Sequence, residues 1–263
     1  MQEAALLQWY ADAGVDEATD DAPRNFFART PMPPAVAPSV TPVHPAPTLA
    51  PSPLHHSPSA AGAEARTLAD KATTLADLEK AVRAFDGCAI KRTATNTVFA
   101  DGNPASRLML IGEAPGAQED MQGIPFCGAS GKLLDKMFAA IGYDRTTFYI
   151  TNTLFWRPPG NRQPSSEELA ICQPFVEKHI ALVDPKLIVL VGGTATKAVL
   201  ATEQGITRLR GKNYTYRTPY SDKEYPVAVI YHPSYLLRQP AQKRAAWQDL
   251  LAIKALMGGA SSS

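Results

Sequence analysis

Arg107-Leu108-Met109-Leu110-Ile111-Gly112 and Leu187-Ile188-Val189-Leu190-Val191-Gly192 are the two stretches whose reading decides the fold. Each is a short apolar run that stops at a glycine. Uniform apolarity over so few residues predicts strands covered on both faces, as in a parallel sheet, rather than strands with one wet side. Outward from them the periodicity changes to that of helices. Leu133, Leu134, Met137, Phe138 and Ile141 predict a helix over Gly131–Ile141, and Ser166–Leu182 predicts another behind a serine cap at Ser165 or Ser166. Thr147–Ile150 and Val227–Tyr231 predict strands, Thr194–Leu200 a short helix, and Gln242–Met257 a last helix. At the near end, Leu75, Leu78, Val82 and Phe85 follow Thr74 at helical spacing. Strands alternating with helices predict the α/β class: a three-layer α/β/α sandwich around a central, mostly parallel four-stranded sheet.

The remainder of the 263 residues divides by composition. Ten of the 23 prolines lie between Pro31 and Pro58, amid Ala, Ser, Thr and Val, a mixture that cannot bury enough apolar surface to offset the cost of ordering. The expected organisation is a short N-terminal segment over 1–30, a Pro-rich disordered linker over 31–66, a folded domain over 67–258 and a flexible tail over 259–263. Leu6, Leu7, Trp9 and Tyr10 form a short amphipathic stretch, either a docking peptide for a protein partner or a frayed terminus. His44, His55 and His56 fall in the linker with no further ligand close by.

Composition also excludes classes of function. No run approaches the ~18 apolar residues that a membrane helix needs, so no membrane partner is expected. The N-terminus has no basic segment ahead of its apolar patch, and three cysteines are an odd number for a disulfide framework, so a reducing cytoplasm is expected. Residues 1–66 hold three basic and seven acidic side chains, a balance of −4, and the rest hold 23 and 18, a balance of +5. That asymmetry permits a polyanionic partner for the larger part.

In parallel sheets ligands bind at the carboxyl ends of the strands. Four loops leave those ends: Gly112-Glu113-Ala114-Pro115-Gly116, Thr151-Asn152, Gly192-Gly193 and His232-Pro233-Ser234. Taken singly, each has a plain structural use as a tight turn, a cap or a satisfied loop histidine. The first is too short and too stiff for a dinucleotide fingerprint or a Walker loop, whose glycines need other spacings. Their convergence at one edge is the strongest clue in the chain.

In order along the chain come Gly112–Gly116 with Glu119-Asp120, then Gly123-Ile124-Pro125-Phe126 with Gly128 and Gly131–Leu134. Thr151-Asn152, Arg157-Pro158-Pro159-Gly160-Asn161-Arg162 and His232-Pro233-Ser234-Tyr235-Leu236-Leu237-Arg238 follow. Together these motifs resemble family 4 uracil-DNA glycosylases over roughly residues 75–257. The Pro-rich extension and the stretch Arg238–Arg244 resemble an alphaproteobacterial branch. The resemblance implies a hydrolase that cleaves the N-glycosidic bond of uracil in DNA, single- or double-stranded, at the start of base excision repair, acting as a monomer at the bacterial nucleoid. It implies His232 as the group that stabilises the departing base and Glu113 as holder of the attacking water. Phe126, Asn152, Gly112 and Ala114 would form the uracil pocket. Leu236 would wedge into the vacated stack, while Ser234, Arg157, Arg162 and Arg238, with Lys243 and Arg244 beyond, would meet the DNA. In family 1 enzymes a carboxylate follows the position of Glu113, whereas this chain has Ala114, so Glu113 does not simply replace it.

Family 4 enzymes hold a [4Fe–4S] cluster on four cysteines. Only Cys88 and Cys172 match that set here; Phe85 and Trp156 stand where the other two would be, and Cys127 lies in the pocket loop. Two thiolates do not hold four irons. The expectation is therefore no cluster and no other cofactor. A uracil- or damaged-DNA-binding module without turnover, or a polymerase-associated protein, is the competing class, against which stands the pairing of His232 with Asn152. A crosslinking branch with a histidine inserted in its basic loop is excluded by Thr153–Gln163, which contains none.

Overall fold

The computed structural model describes residues 59–258. Its sheet has six strands: β1 (Ala100–Gly102), β2 (Leu108–Gly112), β3 (Tyr149–Asn152), β4 (Leu187–Val191), β5 (Tyr214–Tyr216) and β6 (Tyr225–Ile230), in the spatial order β1-β3-β2-β4-β6-β5. The central four are parallel, and β1 and β5 add antiparallel edges. The expectation of four strands is corrected to six. Each edge strand is three residues long and partly exposed, so neither leaves an apolar run in the sequence.

Alternation along the central strands sends side chains to two cores. Met109, Ile111, Ile188, Leu190, Val227 and Val229 face one layer, and Leu108, Leu110, Leu187, Val189, Val191 and Ile230 face the other. Over the first lie α1 (Ala60–Lys71), α2 (Leu75–Ala84), α5 (Ser166–Val183) and α6 (Gly193–Leu200). Over the second lie α4 (Ala129–Ala139), α8 (Pro233–Arg238) and α9 (Lys243–Gly258). Short α3 (Ala117–Gln122) and α7 (Ile206–Leu209) sit in loops. The result is the expected three-layer sandwich. Among the described residues no helix is long and apolar enough to cross a membrane.

Helix starts follow local chemistry. Thr74 and Ser165 each accept from the main-chain N–H three residues on, while Asp77 and Glu168 reach back to the cap residues, satisfying donors that a helix end leaves orphaned. The linker expectation is corrected at its end: residues 60–66 are helical. Ala65 and Ala69 are fully buried in the core that α5 shares, and Arg66 donates to Glu177 at 2.5 Å. Small alanines at i and i+4 let α1 approach closely, a signal that an Ala-rich composition hides. The N-terminal segment, the rest of the linker with its histidines, and the tail from 259 lie outside the described residues.

Candidate functional site

Register brings the strand-end loops together. Gly112 and Asn152 are partners across β2 and β3, and Val191 and Ile230 across β4 and β6. Beyond the strands the stitching continues: Thr153 N donates to Gly112 O at 2.9 Å, and Leu154 N and Thr153 Oγ1 donate to Glu113 O at 3.1 and 2.7 Å. The loops frame a cleft of about 640 Å³ lined by Glu113, Ala114, Phe126, Asn152, His232 and Arg238, among others. A second cavity of about 560 Å³, between α5 and α6, contains none of these.

Asn152 is 1% exposed, and its Oδ1 has no hydrogen-bond partner. Such an atom is uncommon in a folded protein and calls for an explanation. Facing it is the space above Gly112, where a Cβ would stand 2.4 Å from Asn152 Oδ1 and 2.4 Å from the Phe126 ring. The Phe126 ring centroid lies 5.7 Å from that of His232, tilted by 33°. An amide edge, an aromatic face and an imidazole thus converge on one open volume.

His232 caps α8. The main-chain N–H of Ser234 donates to its Nδ1 at 3.1 Å, and Ser234 Oγ lies 2.8 Å from the same nitrogen. A main-chain N–H can only donate, so Nδ1 is the unprotonated nitrogen and the ring proton sits on Nε2. Burial, helped by the positive Arg238, pulls the His232 pKa down to about 4, with the negative Glu119 opposing. The imidazole is neutral at physiological pH. Gly192 supports it from below with φ at 99° and no room for a side chain, since a Cβ would meet His232 Cβ at 3.0 Å.

Other candidates are distributed unevenly. Ser234, Arg162 and Arg238 line the cleft with Glu113 and Ala114, and Arg238 has no ion-pair partner among the described residues. Arg162 is already engaged with Glu168 through two bonds of 2.9 and 2.6 Å. Arg157 is not a lining residue; its Nε donates to Asn161 Oδ1 at 2.8 Å. Leu236 is corrected outright. It is 1% exposed and belongs to the second core, whereas Leu237 is 47% exposed.

Glu119 is a residue whose role the motif alone did not disclose. Its two carboxylate oxygens accept from Gly116 N at 3.1 Å and Gly128 N at 2.8 Å, tying the Gly112–Gly116 loop to the Phe126 loop across the cleft. The only sequence signal is its place three residues into α3, where a carboxylate completes a helix start.

The Uracil DNA glycosylase superfamily model matches residues 99–251, a span that includes every one of these cleft residues. The chain belongs to the uracil DNA glycosylase superfamily. It is 36% identical over 188 residues to the Type-4 uracil-DNA glycosylase of Sulfurisphaera tokodaii, covering 70% of this chain and 84% of that one. With the Type-4 uracil-DNA glycosylase of Archaeoglobus fulgidus it shares 35% over 189 residues, 70% and 94% of the two chains. The Type-4 enzyme of Thermotoga maritima is 34% identical over 179 residues, 67% and 91%.

Membership in this superfamily raises the question whether the cysteines here fit the cluster that the resemblance to family 4 implies. Cys88, Cys172, Phe85 and Trp156 all lie in the first core and are at most 1% exposed. The Phe85 ring sits 5.2 Å from Phe175 and 6.4 Å from Trp156, whose Nε1 donates to Thr97 Oγ1 at 3.0 Å. Contact with Cys88, together with burial, pushes the Cys172 thiol well up. Among the described residues no three potential metal ligands come together. The donor set does not fit a four-iron cluster, because two thiols remain and the residues that the resemblance places at the other two ligand positions, Phe85 and Trp156, are packed aromatic side chains with no thiolate to offer iron.

Proposed function

We propose that the chain is a uracil-DNA glycosylase, a hydrolase that cleaves the bond between uracil N1 and deoxyribose to begin base excision repair. The observation that carries this reading is the unpartnered Asn152 Oδ1, buried opposite Phe126 and His232. A buried acceptor left unmet costs about 1–3 kcal/mol, and uracil N3–H meets it while Asn152 Nδ2 donates to O4. Cytosine opposes both contacts, presenting a ring nitrogen to Oδ1 and an amino group to Nδ2.

The target base must leave the stack before any of these groups can reach it. Phe126 then stacks on the extruded ring. As the bond to N1 lengthens, the sugar gains oxocarbenium character and uracil O2 gains negative charge. Neutral His232 donates its Nε2–H to that oxygen, a contact that strengthens as the charge grows. Glu113 holds the water that adds to the sugar carbon, and Gly112 and Ala114 leave room for the base edge.

On the DNA side, Ser234 and Arg238 meet phosphates near the flipped nucleotide, with Arg162 and Arg157 as outer contacts. Leu237 takes the wedge role expected of Leu236, since it is the leucine of α8 that faces outward. The chemistry uses no iron–sulfur cluster, because Phe85 and Trp156 replace two of its ligands with packed rings. Deletion of residues 1–58, which precede the described residues, is expected to leave excision intact.

The test is incubation of the purified chain with an end-labelled oligonucleotide carrying one uracil, followed by alkali. Strand scission at the uracil is expected. Retained binding without scission would instead favour a module that recognises uracil without turnover.

A further inference from the structure

We propose that Arg145 is a positioning residue for excision: it clamps the main chain of the Phe126 loop and so sets the face on which the extruded base stacks. The inference rests on the uracil-excision reading of the cleft. Arg145 lies in the turn before β3, at the opposite end of that strand from Asn152. Its Nη2 donates to Phe126 O at 2.7 Å and its Nη1 to Pro125 O at 3.1 Å. The same guanidinium donates to Asp101 Oδ2 on β1 at 2.9 Å and to Asp135 Oδ1 on α4 at 2.8 Å. It also lies over the Phe148 ring, 5.6 Å from the centroid.

What this fork holds is a strained piece of backbone. Phe126 has φ at 53°, the left-handed region, which is unfavourable for a bulky side chain and persists only where the surroundings impose it. Its carbonyl is also pressed onto α4, where a Cβ on Gly131 would lie 1.6 Å from it. The ring so presented is the one that faces Gly112, Asn152 and His232. Two carboxylates anchor the guanidinium and two carbonyls receive it, a division of donors that a planar fork supports and a lysine ammonium does not.

The experiment compares Arg145→Met, Arg145→Lys and Asp101→Asn in the wild-type and Phe126→Ala backgrounds. It reads single-turnover uracil release, affinity for uracil-free DNA, and amide hydrogen exchange of residues 124–128. Arg145→Met is expected to slow release by about 10- to 100-fold, the scale of a small misplacement of a reacting group. Affinity for uracil-free DNA should hold, and exchange should accelerate at 124–128 first. In the Phe126→Ala background the same change should add nothing, because the ring it positions is gone. Losses that multiply, or unchanged exchange at 124–128, would overturn the proposal. Should Arg145→Met fail to fold, Arg145→Lys and Asp101→Asn carry the same comparison with smaller effects. If the wild-type chain releases no uracil, the functional reading falls, while the exchange measurement still decides whether the clamp exists.

Discussion

Gly112 and Asn152 are cross-strand partners, and a Cβ on the first would stand 2.4 Å from Oδ1 of the second. The missing side chain is therefore part of the pocket. Gly112→Ala should push either the amide or the Phe126 ring out of place and slow uracil release by about 10-fold or more. Single-turnover rates with a parallel melting curve check this. A rate near wild type in a folded protein would mean that the base does not enter between these residues.

Asn152 makes a second prediction with opposite effects on function and stability. Because its buried Oδ1 is unpaired, Asn152→Leu removes an unmet acceptor while keeping the branch at Cγ. The variant should melt at or above the wild-type temperature and lose uracil discrimination. Marked destabilisation would show that the amide serves the fold.

Two buried histidines contribute to the acid response. Burial lowers His232 to about 4 and His179 to about 3; His179 contacts the Tyr149 hydroxyl at 2.9 Å through Nε2. Both are neutral in the folded chain and charge more readily when unfolded. Their contribution to stability is complete above the unfolded value of about 6.5 and declines as pH falls from there toward 4 and then 3. The urea midpoint should fall over that window, and less steeply in His179→Gln. The single-turnover rate should stay flat from neutral pH downward until His232 protonates near 4. A rate that titrates near 6.5 would contradict the neutral imidazole.

Leu236 and Leu237 should separate cleanly. Leu236→Ala opens a core cavity and should cost about 2–5 kcal/mol of stability, whereas Leu237→Ala is a surface change. Leu237→Ala should instead slow release from duplex more than from single strands, where little stacking must be broken. Equal slowing on both substrates would remove Leu237 from the wedge role.

The adjacent leucines also illustrate how far the chain could be read before its structure was seen. Gly112, Asn152 and His232 were legible because apolar strands end where their side chains begin, and parallel strands end at one edge. Which leucine of α8 faces inward was not, since a six-residue helix is too short to display a periodicity. The edge strands were hidden for the same reason of length. The tie from Glu119 to Gly128 and the fork of Arg145 were illegible in a different way: these partners lie nine, and 10 to 44, residues away, and only the folded chain brings the Gly128 N–H to the first and carbonyls and carboxylates around the second. Ala65 read as part of a linker because alanine fits disorder and a close helix contact equally well.

The packed rings of Phe85 and Trp156 predict a colourless protein after aerobic purification, still active in excess chelator. Visible charge-transfer absorption with stoichiometric iron, or loss of activity on chelation, would contradict that account.

The most direct test of the whole account is chromatographic measurement of the free base released from three duplexes that differ only in carrying uracil, cytosine or thymine at one position. Free uracil in stoichiometric yield, none of the other two bases, and a strong reduction by Asn152→Ala and by His232→Ala are the predicted results. No free base from the uracil duplex, or release unaffected by both substitutions, would contradict it.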